Sequence, residues 1–203
     1  MVLIRKDKKM KKLIYISVII SFMLGFMAMP SFALSDNAER FLRSCRALDS
    51  EFPPTNWDKY DLRDAAIEVL NEIENGQYER WAIDFCLKTL GYTQFPEDAE
   101  RILKYEDEMI YSVLRSLRGF PTEDAINCHL RWIDNKIGPK RELAIQGLAE
   151  IDFNKLKDGE KWHGIILTEL SKARSREKEN WLIKEIDEAT VKVKAAKPRP
   201  KTN

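Results

Sequence analysis

Tyr78-Glu79-Arg80-Trp81-Ala82-Ile83-Asp84-Phe85-Cys86-Leu87-Lys88-Thr89-Leu90 is the stretch on which the fold turns. Its apolar residues, Trp81, Ala82, Ile83, Phe85, Cys86, Leu87 and Leu90, go almost all the way round a helical wheel. Only Arg80, Asp84 and Lys88, spaced i, i+4, i+8, make a polar stripe. A helix that is apolar on most sides needs neighbours on most sides. The stretch therefore predicts a central helix in an all-α fold. The stripe reads as a ladder of ion pairs, each worth about 0.2–0.5 kcal/mol, and not as an active site.

Outward from this helix the pattern stays helical, with no convincing alternation of period two. Gly and Pro punctuate it at helix-length intervals: Pro53-Pro54, Gly76, Gly91, Pro96, Gly119, Pro121, Gly138-Pro139 and Gly159. An opening helix has Ala38, Phe41, Leu42, Cys45 and Leu48 on one face, and 53–60 reads as a loop. Asp61 is placed to cap the next helix, whose apolar positions run from Leu62 to Ile73. Pro96-Glu97-Asp98 opens another, with acids facing the positive end of the macrodipole. A helix over 108–118 follows, then one capped by Thr122, one opened by Pro139 and one capped by Asp158. The last is long and charged, starts near Arg176, and carries Leu182, Ile186, Ala189 and Val193 on one face.

Two stretches match each other. Leu87-x-x-Leu90-Gly91 followed by Phe95-Pro96-Glu97-Asp98-Ala99 is echoed 25 to 27 residues later by Leu114-x-x-Leu117 followed by Gly119-Phe120-Pro121-Thr122-Glu123-Asp124-Ala125. Leu148 and Ile151 repeat Leu114 and Leu117 at an offset of 34. Helix pairs at such spacing are what a short α-solenoid requires, since each pair needs a neighbour to cover its apolar face. Over 61–153 the chain resembles the HEAT-like helical-repeat family. The resemblance rests on Arg141-x-x-Ala144-x-x-x-Leu148-x-x-Ile151 in a second helix and on the first-helix starts at Pro96-x-Asp98-Ala99 and Asp124-Ala125. It implies a short, irregular solenoid of antiparallel helix pairs that binds another protein on the surface of its second helices. An irregular helical bundle is the alternative.

The chain begins with a cationic run, Arg5, Lys6, Lys8, Lys9, Lys11 and Lys12, then 17 largely apolar residues over 13–29, then Pro30-Ser31-Phe32-Ala33. That layout predicts a secretory signal peptide over 1–33, cleaved after Ala33. An uncleaved anchor is the alternative, and translation from Met1 or from Met10 fits equally. The expected domain is 34–196, with a disordered basic tail at 197–203. Without 1–33 the 34 basic and 33 acidic residues lose six and one, leaving a net charge of −4. A mildly acidic exported protein is not expected to bind nucleic acid, and a membrane only if the signal stays attached.

Cys45, Cys86 and Cys128 could supply one disulfide in an oxidising compartment, and the pairing is open from sequence. They carry no metal-ligand spacing. His129 falls on an apolar helix face, and His163 beside Trp162 reads as a surface residue. Cys128 and His129 are adjacent, hence about 100° apart on a helix, and do not form a nucleophile–base pair. No phosphate loop or nucleophile elbow is present, so no cofactor and no metal are expected. Glu106-Asp107-Glu108 reads as a solvated acidic connection.

For binding, the candidates are Tyr111, Arg115 and Arg118 on the outward side of a second helix, and Trp57 in its loop, because Tyr, Trp and Arg dominate interface hot spots. The expected function is an exported, non-catalytic protein that binds another protein, as an immunity or inhibitor protein would. Two alternatives are a cell-envelope hydrolase with paired carboxylates and a membrane-anchored structural protein of the envelope.

Overall fold

The fold is built outward from the helix that contains Cys86. A computed structural model describes residues 34–47, 57–74 and 80–199. The expected signal segment over 1–33, Leu48, residues 53–56 of the expected 53–60 loop, Gly76 and residues 200–203 lie outside the described residues. The described residues form nine α-helices, α1 (Asp36–Arg46), α2 (Lys59–Glu74), α3 (Arg80–Thr93), α4 (Asp98–Leu103), α5 (Glu106–Ser116), α6 (Glu123–Trp132), α7 (Gly138–Ala149), α8 (Gly159–Arg176) and α9 (Asn180–Ala195). A single 3₁₀ turn, Phe153–Lys155, precedes α8, and there is no strand among the described residues. Leu34–Asn203 is one compact unit.

Successive helices pair: α2 with α3, α4 with α5, α6 with α7, and α8 with α9. The second members also touch in series, α3 on α5, α5 on α7 and α7 on α9. The all-round apolar helix does sit in the middle of its neighbours, since α3 meets α1, α2, α4 and α5. Ala82, Cys86, Leu87 and Leu90 have no exposed surface. The buried residues form two apolar clusters, one from α1 to α7 and one from α6 to α9. Helices α6 and α7 contribute to both, Ala125, Cys128 and Ala144 to the first, Ile126, Ile145 and Leu148 to the second. A pair in the middle of a stack must be apolar on two sides.

Local chemistry sets the helix ends. Ser35 caps α1, its Oγ accepting from the Ala38 N–H at 3.2 Å. The same hydroxyl donates to Glu68 of α2 at 2.6 Å, joining cap and neighbour. Thr122 caps α6 as its position implies, accepting from the Ala125 N–H.

Several boundaries differ from those expected from sequence. Helix α2 starts at Lys59, so Asp61 lies within its first turn. Asp58 serves the helix start instead, its carboxylate accepting from the Tyr60 N–H at 2.7 Å. Helix α5 starts at Glu106 and kinks at Met109, where φ is −134° and ψ is 42°. Helix α8 runs to Arg176 and α9 begins at Asn180. The break between them comes from Glu177, whose carboxylate accepts from the backbone N–H groups of Lys178 and Glu179. It also receives the Arg141 guanidinium of α7 at 2.9 Å. Within the expected tail, Pro198 is buried and the Arg199 N–H donates to Asn154 at 3.0 Å.

One buried ion pair is not foreshadowed by any sequence motif. Asp98, at the start of α4, is buried with its side chain 1% exposed. Arg63 of α2 reaches it with two hydrogen bonds, Nε to Oδ2 at 2.6 Å and Nη2 to Oδ1 at 2.8 Å. The Asp98 hydrogen bond raises the Arg63 pKa against the effect of burial. The Arg63 guanidinium also lies over the Phe95 ring, 4.7 Å from its centroid.

Candidate functional site: a groove across the second helices

The polar stripe of α3 does not close on itself as a simple ladder. Arg80 donates to the carbonyl of Glu108, and Asp84 accepts a hydrogen bond from the Ser112 hydroxyl, both on α5. The two helices approach closely at Gly91. A Cβ there would fall 2.6 Å from the backbone oxygen of Ser116, a distance that no side chain tolerates.

A groove of 470 Å³ opens beside this contact. It is lined by Asp84, Lys88 and Tyr92 of α3, by Ser112 and Arg115 of α5, and by Arg118 and Glu150. Arg118 and Glu150 form a two-point ion pair, with Arg118 Nε 2.7 Å from Glu150 Oε2. Gln94 steadies the turn by donating to the Arg118 carbonyl at 3.4 Å. Arg115 is exposed and has no ion-pair partner among the described residues.

The four candidates from the sequence therefore divide. Arg115 and Arg118 come together in the groove, Arg115 open and Arg118 committed to Glu150. Tyr111 is 40% exposed but lies further along α5, its ring 5.5 Å from the Lys140 ammonium. Trp57 is away from the groove and half-buried, edge-on to Phe41 of α1 at 6.4 Å with Arg40 over its face. It serves packing of the first helix.

The acidic run is also more than a solvated connection. Glu106 accepts from the Trp132 indole N–H at 2.7 Å and from Arg131 at both oxygens. Burial alone would raise its carboxyl, but these hydrogen bonds outweigh it and hold the pKa below the usual value. The carboxylate thus ties α5 to α6.

The groups with nucleophile or base chemistry are held away from neutrality. All three cysteines are free and buried. Burial pushes the Cys45 and Cys128 thiols up to about 12, and Cys86 is raised as well. A thiolate at neutral pH is therefore suppressed. His129 has no exposed surface and donates from Nε2 to the Leu117 carbonyl at 3.3 Å, while Nδ1 has no partner. His163 is half-buried, not a surface residue, with Nε2 2.9 Å from the Val193 carbonyl and its ring edge-on to Phe153. Among the described residues no three His, Cys, Asp or Glu side chains converge as a metal site would need.

His129 makes stability depend on pH. Burial lowers its pKa from 6.5 to about 4, so the folded protein stays neutral there while the unfolded chain takes up a proton. The stabilising contribution is complete above pH 6.5 and is lost as pH falls towards 4. At about 1.4 kcal/mol per pKa unit, roughly 2–3 kcal/mol should go between pH 7 and 4.5. Urea denaturation of the wild type and of His129→Asn at both pH values measures it. An equal loss in the two proteins would mean that His129 is not the source.

Neither the protein-family models, nor the curated proteins, nor the solved structures contain a match to this chain.

Proposed function

We propose that this chain is an exported, non-catalytic, HEAT-like helical-repeat protein that binds another protein across its second helices. The observation that carries this reading is the groove lined by α3, α5 and Glu150 at the C-cap of α7, with the exposed Arg115 among its residues. Three helices set side by side offer a continuous surface, and an arginine with no internal partner is free to meet a carboxylate of a bound protein. Export follows from the cationic, apolar and small-residue order of 1–33. A compact exported protein with an open binding groove suits an immunity or inhibitor role. The partner is held, and no chemistry is done on it. The groove's two carboxylates, Asp84 and Glu150, are both engaged by neighbours, which gives the paired-carboxylate hydrolase no support. No described helix is long and apolar enough to cross a membrane.

The test is cross-linking of the tagged full-length protein in its native envelope fraction, followed by mass spectrometry of the captured species. A stoichiometric protein partner should be found, and Arg115→Glu should weaken its capture by at least about tenfold, in line with a hot-spot arginine. The helical circular dichroism signal and Tm of the variant should stay unchanged, since Arg115 supports nothing inside the fold. Capture that is indifferent to Arg115→Glu and to Lys88→Glu would place the binding surface elsewhere.

A further inference from the structure

We propose that the bound protein presents an acidic segment to the second helices, with Lys140 of α7 as its principal anchor and Arg115 of α5 as the second, a choice of partner that rests on the binding reading above. Lys140 is half-buried. Its ammonium lies over two aromatic rings, 5.5 Å from the centroid of Tyr111 and 4.8 Å from that of Trp132. Tyr111 belongs to α5 and Trp132 ends α6, so side chains of three helices meet at this cation. The Trp132 ring is itself fixed, its N–H donating to Glu106 at 2.7 Å. Ring contacts of this kind attract a cation and restrict its rotamers.

A half-buried cation needs an anion, because desolvation without one is costly. Elsewhere from α4 to α8 the rule is met: Arg101, Arg118, Arg131, Arg141, Arg174 and Arg176 each have a carboxylate within 4.0 Å. Lys140 and Arg115 have none among the described residues. Tyr111 connects the two. It is exposed, and Arg115 stands four positions later, one turn along the same face of α5. Both lie past the kink at Met109, whereas the acids Asp107 and Glu108 precede it. Glu106 is taken by Arg131 and the Trp132 indole.

Two open cations on one surface select carboxylates. An ammonium already placed by two rings loses little freedom when a carboxylate arrives, so more of the charge-assisted hydrogen bond appears as affinity. Apolar surface lies at the same end of α7. Ile137 and Trp181 are exposed there, and a Cβ at Gly138 would come 3.0 Å from Trp181 Cζ2. The segment that fits therefore carries apolar side chains beside its acids.

Two reagents test this on the tagged full-length protein in its native envelope fraction. A carbodiimide joins an ammonium to a carboxylate in direct contact, and an amine-to-amine ester reagent bridges lysines at longer reach. Carbodiimide should yield an amide between Lys140 and an Asp or Glu of a different protein, located by peptide mass mapping. Arg115→Lys should add a second amide, from position 115 to another acid of the same partner. Lys140→Gln should weaken ester capture of that partner by about tenfold. Lys161→Gln, which removes a lysine lying over Trp162 on α8, should leave capture as it is. Ester capture of a partner with no carbodiimide link at Lys140 or at position 115 overturns the acidic segment and leaves the binding reading standing. Capture by neither reagent overturns both. A Lys140 link to a nucleic acid phosphate, or to another copy of this chain, overturns the choice of partner.

Discussion

Replacing Arg63 by Ala should destabilise the protein by about 3–5 kcal/mol, a large share of the roughly 5–15 kcal/mol that holds a domain of this size together. The reason is the position of Asp98. Its carboxylate is 1% exposed and sits where α4 meets α2, with Arg63 supplying both hydrogen bonds to its oxygens. Glu97 also lies 3.2 Å from Arg63, but at the rim, where water screens it. Removing the guanidinium leaves a buried carboxylate whose remaining cation is Arg101, with Nε 4.0 Å from Oδ1, too far for a hydrogen bond unless α4 shifts. The penalty thus belongs to the orphaned charge more than to the lost pair. Two comparisons follow from that. Arg63→Ala combined with Asp98→Ala should cost clearly less than Arg63→Ala alone, and Asp98→Asn should be milder because Arg63 can turn to water. Urea denaturation of the four proteins at pH 7 decides. A loss under about 1 kcal/mol for Arg63→Ala would show that Asp98 is solvated in the folded protein.

Gly147→Ala should also be severe, by about 3 kcal/mol, although alanine is the better helix former. A Cβ at Gly147 would lie 2.1 Å from His129 Cε1 and 2.3 Å from Nε2. The ring has no room to retreat, because His129 is wholly buried and its Nε2 is held by the Leu117 carbonyl. The extra methyl must therefore push α7 off α6, and α6 and α7 serve both apolar clusters. Truncating the ring should relieve the clash. His129→Ala is itself destabilising, since it opens a cavity and frees the Leu117 carbonyl, yet His129→Ala with Gly147→Ala should cost less than the sum of the two. Additive losses in this double-mutant cycle would mean that α7 moves away at no cost and that the contact is not tight.

Relations between residues close in sequence are legible from the chain alone. The faces of α2 to α9, the Thr122 cap and the proline at the start of α7 follow from relations three or four positions apart. Boundaries are less legible where a side chain serves as its own turn, as with Asp58 and Glu177, because such hydrogen bonds compete locally with the helix. The buried His129 can be placed on a core face from its spacing, but its missing Nδ1 partner and its dependence on Gly147 cannot.

The candidate site is only half visible in the sequence. Arg115 and Arg118 share a helix end and can be read as an outward pair. That Arg118 is spent on Glu150, 32 residues on, has no local signal. Arg63 with Asp98, Arg131 with Glu106 and Arg141 with Glu177 are separated by 35, 25 and 36 residues. The sequence by itself determined an all-helical chain and which helix is apolar almost all round. Only the tertiary structure decided which charges are partners and which remain open, because a helix's periodicity selects the face it buries but says nothing of which neighbour's face will meet it.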